Sequence, residues 1–271
     1  MCPSGQPKST YSLRRSSMKI GIIGVGAVGG VIAQRLAENG HEVRVANSRG
    51  AETVSDFANK IGAAATDAKG AVDGADVVVL SIPFSAIQKL PEGLFDNLSS
   101  SATVIDTSNY YPNVRDPSIQ EIDAGKAESV WVSEQIGRPV IKAFNILFSE
   151  TLVQAAMPEG AVGRLAIPVA GDDPEQKKIA MRMVNEVGFD PFDAGALVDS
   201  WRQQPGSPCY CCDFDADRLR AALAAATQGV PAKNRDYFLA HLGVFLGGVP
   251  TRERMVGAQR HINNPTWPVV S

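Results

Sequence analysis

Histidine is scarce in this chain, and none of the three sits where a catalytic base or a metal ligand is expected. His41 opens an apolar run, on the amino-terminal edge of the strand it predicts. His241 lies in an apolar helical stretch and His261 in the polar tail. Cysteine is nearly as rare, and three of the four cysteines fall in Cys209-Tyr-Cys-Cys212. That spacing lacks the paired hooks of a zinc site, and no second cluster completes a tetrahedral set. No metal is expected, and the thiols read as incidental groups of a reduced, cytoplasmic protein. A redox role beside a cofactor is the open alternative for Cys209, Cys211 and Cys212. No apolar run approaches the roughly 20 residues of a membrane helix. A net charge of −3 leaves no electrostatic footprint for nucleic acid or an anionic membrane. The first 17 residues, MCPSGQPKSTYSLRRSS, lack the apolar core of an export signal and read as a disordered tail ahead of Met18.

What is present is an alternation of short apolar runs and helical patterns, which predicts βαβ units and a parallel sheet. Strands are expected at 19–23, 41–46, 76–82, 103–107 and 140–144, with helices at 28–39 and 51–61 between the early ones. Further strands are expected at 165–170 and 189–194, the first an edge strand or bulged because of Pro168. They flank a helix over 175–187 opened by Asp172-Asp-Pro174. The segment 201–208 reads as loop, 216–227 and 234–246 as helices, and the last 20 or so residues as irregular. The predicted fold class is α/β: a doubly wound parallel sheet over 18–150, followed by a smaller, partly helical C-terminal domain over 151–271 for substrate or dimerisation.

Gly24-Val-Gly-Ala-Val-Gly29 follows the first strand and opens the first helix, the context in which GxGxxG marks dinucleotide binding. Gly24 permits the tight turn, Gly26 lets the backbone approach a pyrophosphate, and Gly29 lets helix and strand pack closely. No Gly-Lys-Ser/Thr follows, which excludes a Walker loop. The second strand ends in Asn47-Ser48-Arg49, where an NAD site would carry an acid about 20 residues past the glycines. A base and a hydroxyl there suit the phosphate of NADP(H), because guanidinium–phosphate bonds are charge-assisted and often bidentate. The alternative is a solvated Arg49. Ser81-Ile-Pro83, Asp106-Thr-Ser-Asn109 and Asn145 each end an apolar run at the carboxyl edge of the sheet, where this fold binds ligands. Each is equally explained as a turn cap.

These motifs, with Lys142-Ala-Phe-Asn145, Gly171-Asp-Asp173 and Asp193-Ala-Gly195, occur in this order in one family. From about Ile20 to Leu197 the chain resembles the NADPH:coenzyme F-420 oxidoreductases, whose relatives include the reductase domain of the STEAP metalloreductases. The resemblance implies a Rossmann domain with a small C-terminal domain closing over the nicotinamide, and hydride transfer between NADP(H) and a coenzyme F-420 (deazaflavin) or flavin acceptor. It implies Gly24, Ala27 and Val28 at the pyrophosphate and Ser48 and Arg49 on the ribose phosphate. Ser81, Ile82 and Pro83 would border the path to the nicotinamide, with Asn145 and Asn109 positioning the hydride. A homodimer is expected by analogy.

The chain departs from the family pattern after Ala196-Leu-Val, where Asp199-Ser-Trp-Arg-Gln-Gln-Pro-Gly-Ser-Pro-Cys209 replaces a helix. Pro205 and Pro208 forbid a continuous helix there. Trp201, Arg202, Gln203 and Gln204 are candidates to bind the ring of the second substrate, or form a packed connector. Two rival functions remain: an NADP-dependent reductase of small imines or carbonyls, and a non-catalytic NADP(H) sensor. The reductase needs a proton donor, and Lys142 is the one motif residue able to serve. Lys142 and Asn145 lie three apart on an expected strand, so they should face opposite ways unless a bulge intervenes.

Overall fold

The run Val77-Val-Val-Leu80 is buried along its whole length, as a strand covered on both faces must be. In the computed structural model, which describes residues 16–263, it is the fourth strand of a six-stranded parallel sheet of order β3-β2-β1-β4-β5-β6. The strands are β1 (Lys19–Ile23), β2 (Glu42–Ala46), β3 (Ala64–Ala65), β4 (Val77–Leu80), β5 (Thr103–Asp106) and β6 (Ile141–Lys142). Strand period sorts the core. Ile20, Ile22, Val77 and Val79 pack into one layer with Ile32 and Leu36, while Ile23, Val78 and Leu80 pack into the other with Phe84 and Trp131.

Helices α1 (Gly29–Glu38), α2 (Ser55–Ile61) and α3 (Ala68–Val72) fill the early crossovers. After β5 come α4 (Gln120–Asp123) and α5 (Glu128–Ile136), and after β6 comes α6 (Ser149–Gln154). Strands β7 (Ala166–Val169) and β8 (Asp190–Asp193) pair in parallel around α7 (Pro174–Val187). An antiparallel bridge from Ala170 to Lys142 ties β7 to β6. The chain ends in α8 (Ala216–Ala225), α9 (Val230–Ala240), α10 (Leu242–Leu246) and α11 (Arg252–Asn263).

The expected strands are present, most of them a residue or two shorter than predicted. Three expectations change, the first being that the helix expected over 234–246 is divided at His241 into α9 and α10. The segment placed in a loop begins as a 3-10 helix, Leu197–Gln203, which packs on α5 and stops before Pro205. The supposedly irregular end contains α11, a 12-residue helix. Most of the tail expected over 1–17 lies outside the described residues. Its last two members are held: Ser17 donates to the Gly40 carbonyl and Arg182 donates to that of Ser16. His41 bonds Glu186 of α7 at 2.7 Å, which makes it a fastener between layers. No helix among the described residues is long and apolar enough to cross a membrane.

Candidate active site

The glycine turn lies between β1 and α1, at the edge where strand order reverses and doubly wound sheets bind ligands. Gly24 has φ +101°, and a Cβ on it would lie 2.2 Å from the Ser81 carbonyl oxygen. A Cβ on Gly29 would lie 2.0 Å from the Gly24 oxygen. Both are glycine because the turn folds tightly on itself and on the end of β4, which seats Ser81 and Ile82 against it. Gly26 differs: it is exposed, and a Cβ there would meet no protein atom within 4 Å. Among the described residues nothing requires glycine at that position, so the open space above it suits a close-lying ligand. Val28 at the helix N-cap supplies no side-chain cap, and the first turn of α1 carries no acid. The positive end of the helix therefore faces the exposed Gly26-Ala27 surface unneutralised. A diphosphate fits this cradle by shape and charge.

At the end of β2, Asn47 accepts from the Arg49 backbone N–H at 2.9 Å and donates to the Thr53 hydroxyl at 3.0 Å. Both ends of its amide are engaged within the loop, so the structure shows Asn47 bracing it. That bracing presents Ser48 and Arg49 to solvent. Among the described residues the Arg49 guanidinium has no hydrogen bond or ion pair, as a waiting phosphate ligand would.

At the ends of β5 and β6 the polar residues divide. Asp106 turns inward, accepting from Ser108 and Ser129, and Thr107 donates to the Leu80 carbonyl. Asn109 and Asn145 bond each other: Asn109 Nδ2 donates to the Asn145 carbonyl at 3.0 Å, and Asn145 Nδ2 donates to Asn109 Oδ1 at 3.1 Å. Gln203 completes the ring, donating to Asn145 Oδ1 at 3.1 Å and accepting from Asn145 through its carbonyl at 2.6 Å. The Asn145 amide is thus spent on protein partners. Gln203, a candidate for the second substrate, is fully buried and positions Asn145 instead.

Lys142 is fully buried, 3.2 Å from Asp106 and 4.0 Å from Glu128, and donates to the Ser108 carbonyl. Strand alternation does not separate it from Asn145, because β6 ends at Lys142 and Phe144 takes φ +64°. What removes Lys142 from the cleft is this sealed ion pair. Burial pushes the Glu128 carboxyl up to about 7, against the lowering effect of Lys142 and then of Gln204 and Arg235. Breaking a buried pair strands the opposite charge, at a cost of about 3–5 kcal/mol. Lys142→Met should therefore lower stability by about 3 kcal/mol in denaturant titration, with NADPH affinity unchanged in the molecules that remain folded.

An apolar cavity of about 290 Å³ lies beside the asparagine pair. Tyr111 and Tyr210 line it, with Phe148 and side chains of α9, α10 and α11 opposite. The two phenols hydrogen-bond each other, and Asn109 Nδ2 donates to the Tyr210 hydroxyl at 3.4 Å. α9 is seated directly on the loop before Tyr210: a Cβ on Gly206 would lie 2.2 Å from the Pro231 carbonyl oxygen. Gln259 of α11 also lines the cavity, and its buried Oε1 has no hydrogen-bond partner among the described residues. All four non-glycine residues with positive φ among those described, Asn113, Phe144, Cys211 and Asp213, lie in the segments after β5 and β6 or beside Tyr210. Backbone held in that region costs about 1–3 kcal/mol per residue and gathers at functional sites.

Trp201 and Gln204 line a different pocket, with Ile122, Glu128 and Pro231. Arg202 stacks over the Trp201 ring at 4.6 Å and donates to the Leu223 carbonyl. Neither Trp201, Arg202 nor Gln204 lines the cavity beside Asn109, so the packed connector is the reading this geometry favours. The three described cysteines are free and buried, and burial raises every thiol, Cys209 to about 12. No cluster of potential metal ligands occurs among the described residues. Sequence reasoning missed Tyr111 and Tyr210. The one signal for Tyr111 was its place two residues after Asn109.

The profile of the family described as NADP oxidoreductase, coenzyme F420-dependent, matches residues 19–110. Protein YjhV of Escherichia coli (strain K12) is 42% identical over 113 residues, 42% of this chain and 80% of that protein. The structure of SMa0349 from Sinorhizobium meliloti superposes with a TM-score of 0.61 at 28% identity, over 76% of this chain and 98% of that one. A candidate F420-dependent NADP-reductase from Arthrobacter sp. FB24 superposes with a TM-score of 0.57 at 21% identity, covering 68% and 87%. The glycine turn, the base at the end of β2 and the strand order all fall within or directly beside these matches. The chain belongs to the NADP oxidoreductase, coenzyme F420-dependent, family.

Proposed function

We propose that this protein transfers a hydride between NADP(H) and a flavin- or deazaflavin-type acceptor. The observation that carries the acceptor class is the aromatic-lined cavity with its unpartnered Gln259 Oε1. A buried acceptor atom without a donor is costly, which favours a ring that brings an N–H to it. The imide edge of a flavin or deazaflavin does so, while its fused rings match the apolar walls. The glycine turn holds the diphosphate, and Ser48 with Arg49 holds the ribose phosphate. The Asn109–Asn145–Gln203 ring holds Asn109 against the Tyr210 hydroxyl at the cavity wall. When bound, NADPH supplies the hydride. The protein's part is to hold donor and acceptor in near-attack contact, about 3–3.5 Å apart, and to exclude water.

A small imine or carbonyl is the second reading. Lys142 is sealed away, but the phenol pair at the cavity wall offers the proton that reading requires. Mixing the protein with NADPH and riboflavin, 5-deazariboflavin or a cyclic imine, and following the NADPH absorbance band, separates these cases. Turnover with the ring acceptors alone is the expected result. Turnover confined to the imine supports the second reading, and tight NADPH binding without turnover supports a sensor.

A further inference from the structure

We propose that Tyr210 is the proton donor of this reaction, giving its hydroxyl proton to a nitrogen or oxygen of an acceptor in the cavity and taking another from Tyr111. The proposal rests on the hydride-transfer reading above. Hydride addition leaves an electron pair on the acceptor's heteroatom. That atom forms a bond to the Tyr210 proton as the Oη–H bond breaks. The resulting phenolate regains a proton from Tyr111, and Tyr111 regains one from water entering the cavity as the product leaves.

Geometry selects this pair from the cavity's polar groups. Arg115 and Arg235 carry guanidiniums that do not give up protons, Gln259 carries an amide, and the Cys211 thiol is a weak donor that burial pushes further up. The Tyr210 oxygen lies within hydrogen-bond reach of Asn109 on one side and of Tyr111 on the other. Tyr111 is partly exposed, and Arg115 stacks on its ring at 5.0 Å while donating to the Asn109 carbonyl. Two groups therefore stabilise a transient phenolate: the Asn109 amide at Tyr210 and the Arg115 charge at Tyr111. The charged and titratable neighbours are Arg115 after β5, Cys211 beside Tyr210, Glu128 of α5 and Arg235 of α9. Burial, and after it the adjoining Cys211 or Tyr111, pushes both phenols upward, so each stays protonated at neutral pH and donation relies on the Asn109 and Arg115 contacts to offset the cost of the phenolate.

The test uses the full chain with NADPH and 5-deazariboflavin. Tyr210→Phe should lower kcat at least about 100-fold, the lower end of general-acid effects. It should also weaken binding of oxidised 5-deazariboflavin to the nucleotide-free protein severalfold, read by fluorescence. NADPH affinity should stay within twofold, which certifies the fold. Tyr111→Phe should lower kcat less and enlarge the solvent deuterium isotope effect, because reprotonation then limits. Turnover by Tyr210→Phe within threefold of the unmodified protein, with the same isotope effect, overturns the proposal alone. NADPH binding without turnover in the unmodified protein overturns the proposal together with the hydride-transfer reading.

Discussion

Gly26→Ala is expected to leave the fold intact and weaken nucleotide binding severely, whereas Gly29→Ala, three residues on, should destabilise the protein. The methyl group at Gly26 enters space that no protein atom occupies within 4 Å. Its effect on stability should be that of an ordinary surface change, about 0.5 kcal/mol or less. The same methyl group occupies the approach a pyrophosphate needs. NADPH affinity should fall at least about 100-fold, or about 2.8 kcal/mol at 1.4 kcal/mol per decade. At Gly29 the added Cβ meets the Gly24 carbonyl 2.0 Å away, and backbone cannot swing aside as a flexible side chain can. Overpacking of this severity costs about 3 kcal/mol or more, a fall in melting temperature of roughly 6–12 °C. Differential scanning calorimetry and nucleotide titration on the two variants check both halves. A Gly26→Ala protein that binds NADPH normally would remove the assigned cradle.

Arg49→Ala should discriminate between nucleotides. A charge-assisted bond between guanidinium and phosphate contributes about 1.5–3 kcal/mol, so NADPH affinity should weaken about 10- to 100-fold. NADH, lacking the phosphate, should bind within twofold of its original strength. The braced loop makes the result interpretable, because Asn47 and Thr53 hold its shape without the Arg49 side chain. Titration calorimetry with each nucleotide reads the difference. Equal losses for both would reduce Arg49 to a solvated surface base. Raising salt should weaken NADPH more than NADH for the same reason.

The nucleotide half was legible in the sequence because its signals are local. Each glycine acts within a ten-residue turn, and β1, β2 and β4 are short apolar runs bounded by turn residues. Helix α5 was missed for a physical reason: Glu128 and Ser129 point inward to the Lys142–Asp106 cluster, so its polar residues lie on the face that normally shows apolar spacing. Helix α11 hid similarly, with Val256, Gly257, Ala258 and Gln259 buried in succession rather than at helical intervals. The alternation argument for Lys142 and Asn145 failed at Phe144, whose left-handed backbone no pattern announced. The phenol pair was out of reach, since 99 residues separate its members and only the docked loop brings them together.

The seating of α9 on Gly206 has an evolutionary consequence. The walls of the cavity come largely from stretches synthesised late, while the turn that grips the dinucleotide is complete near the start of the chain. On the proposed function, changes in the terminal helices would alter the oxidant's surroundings while the turn that meets the electron donor keeps its shape.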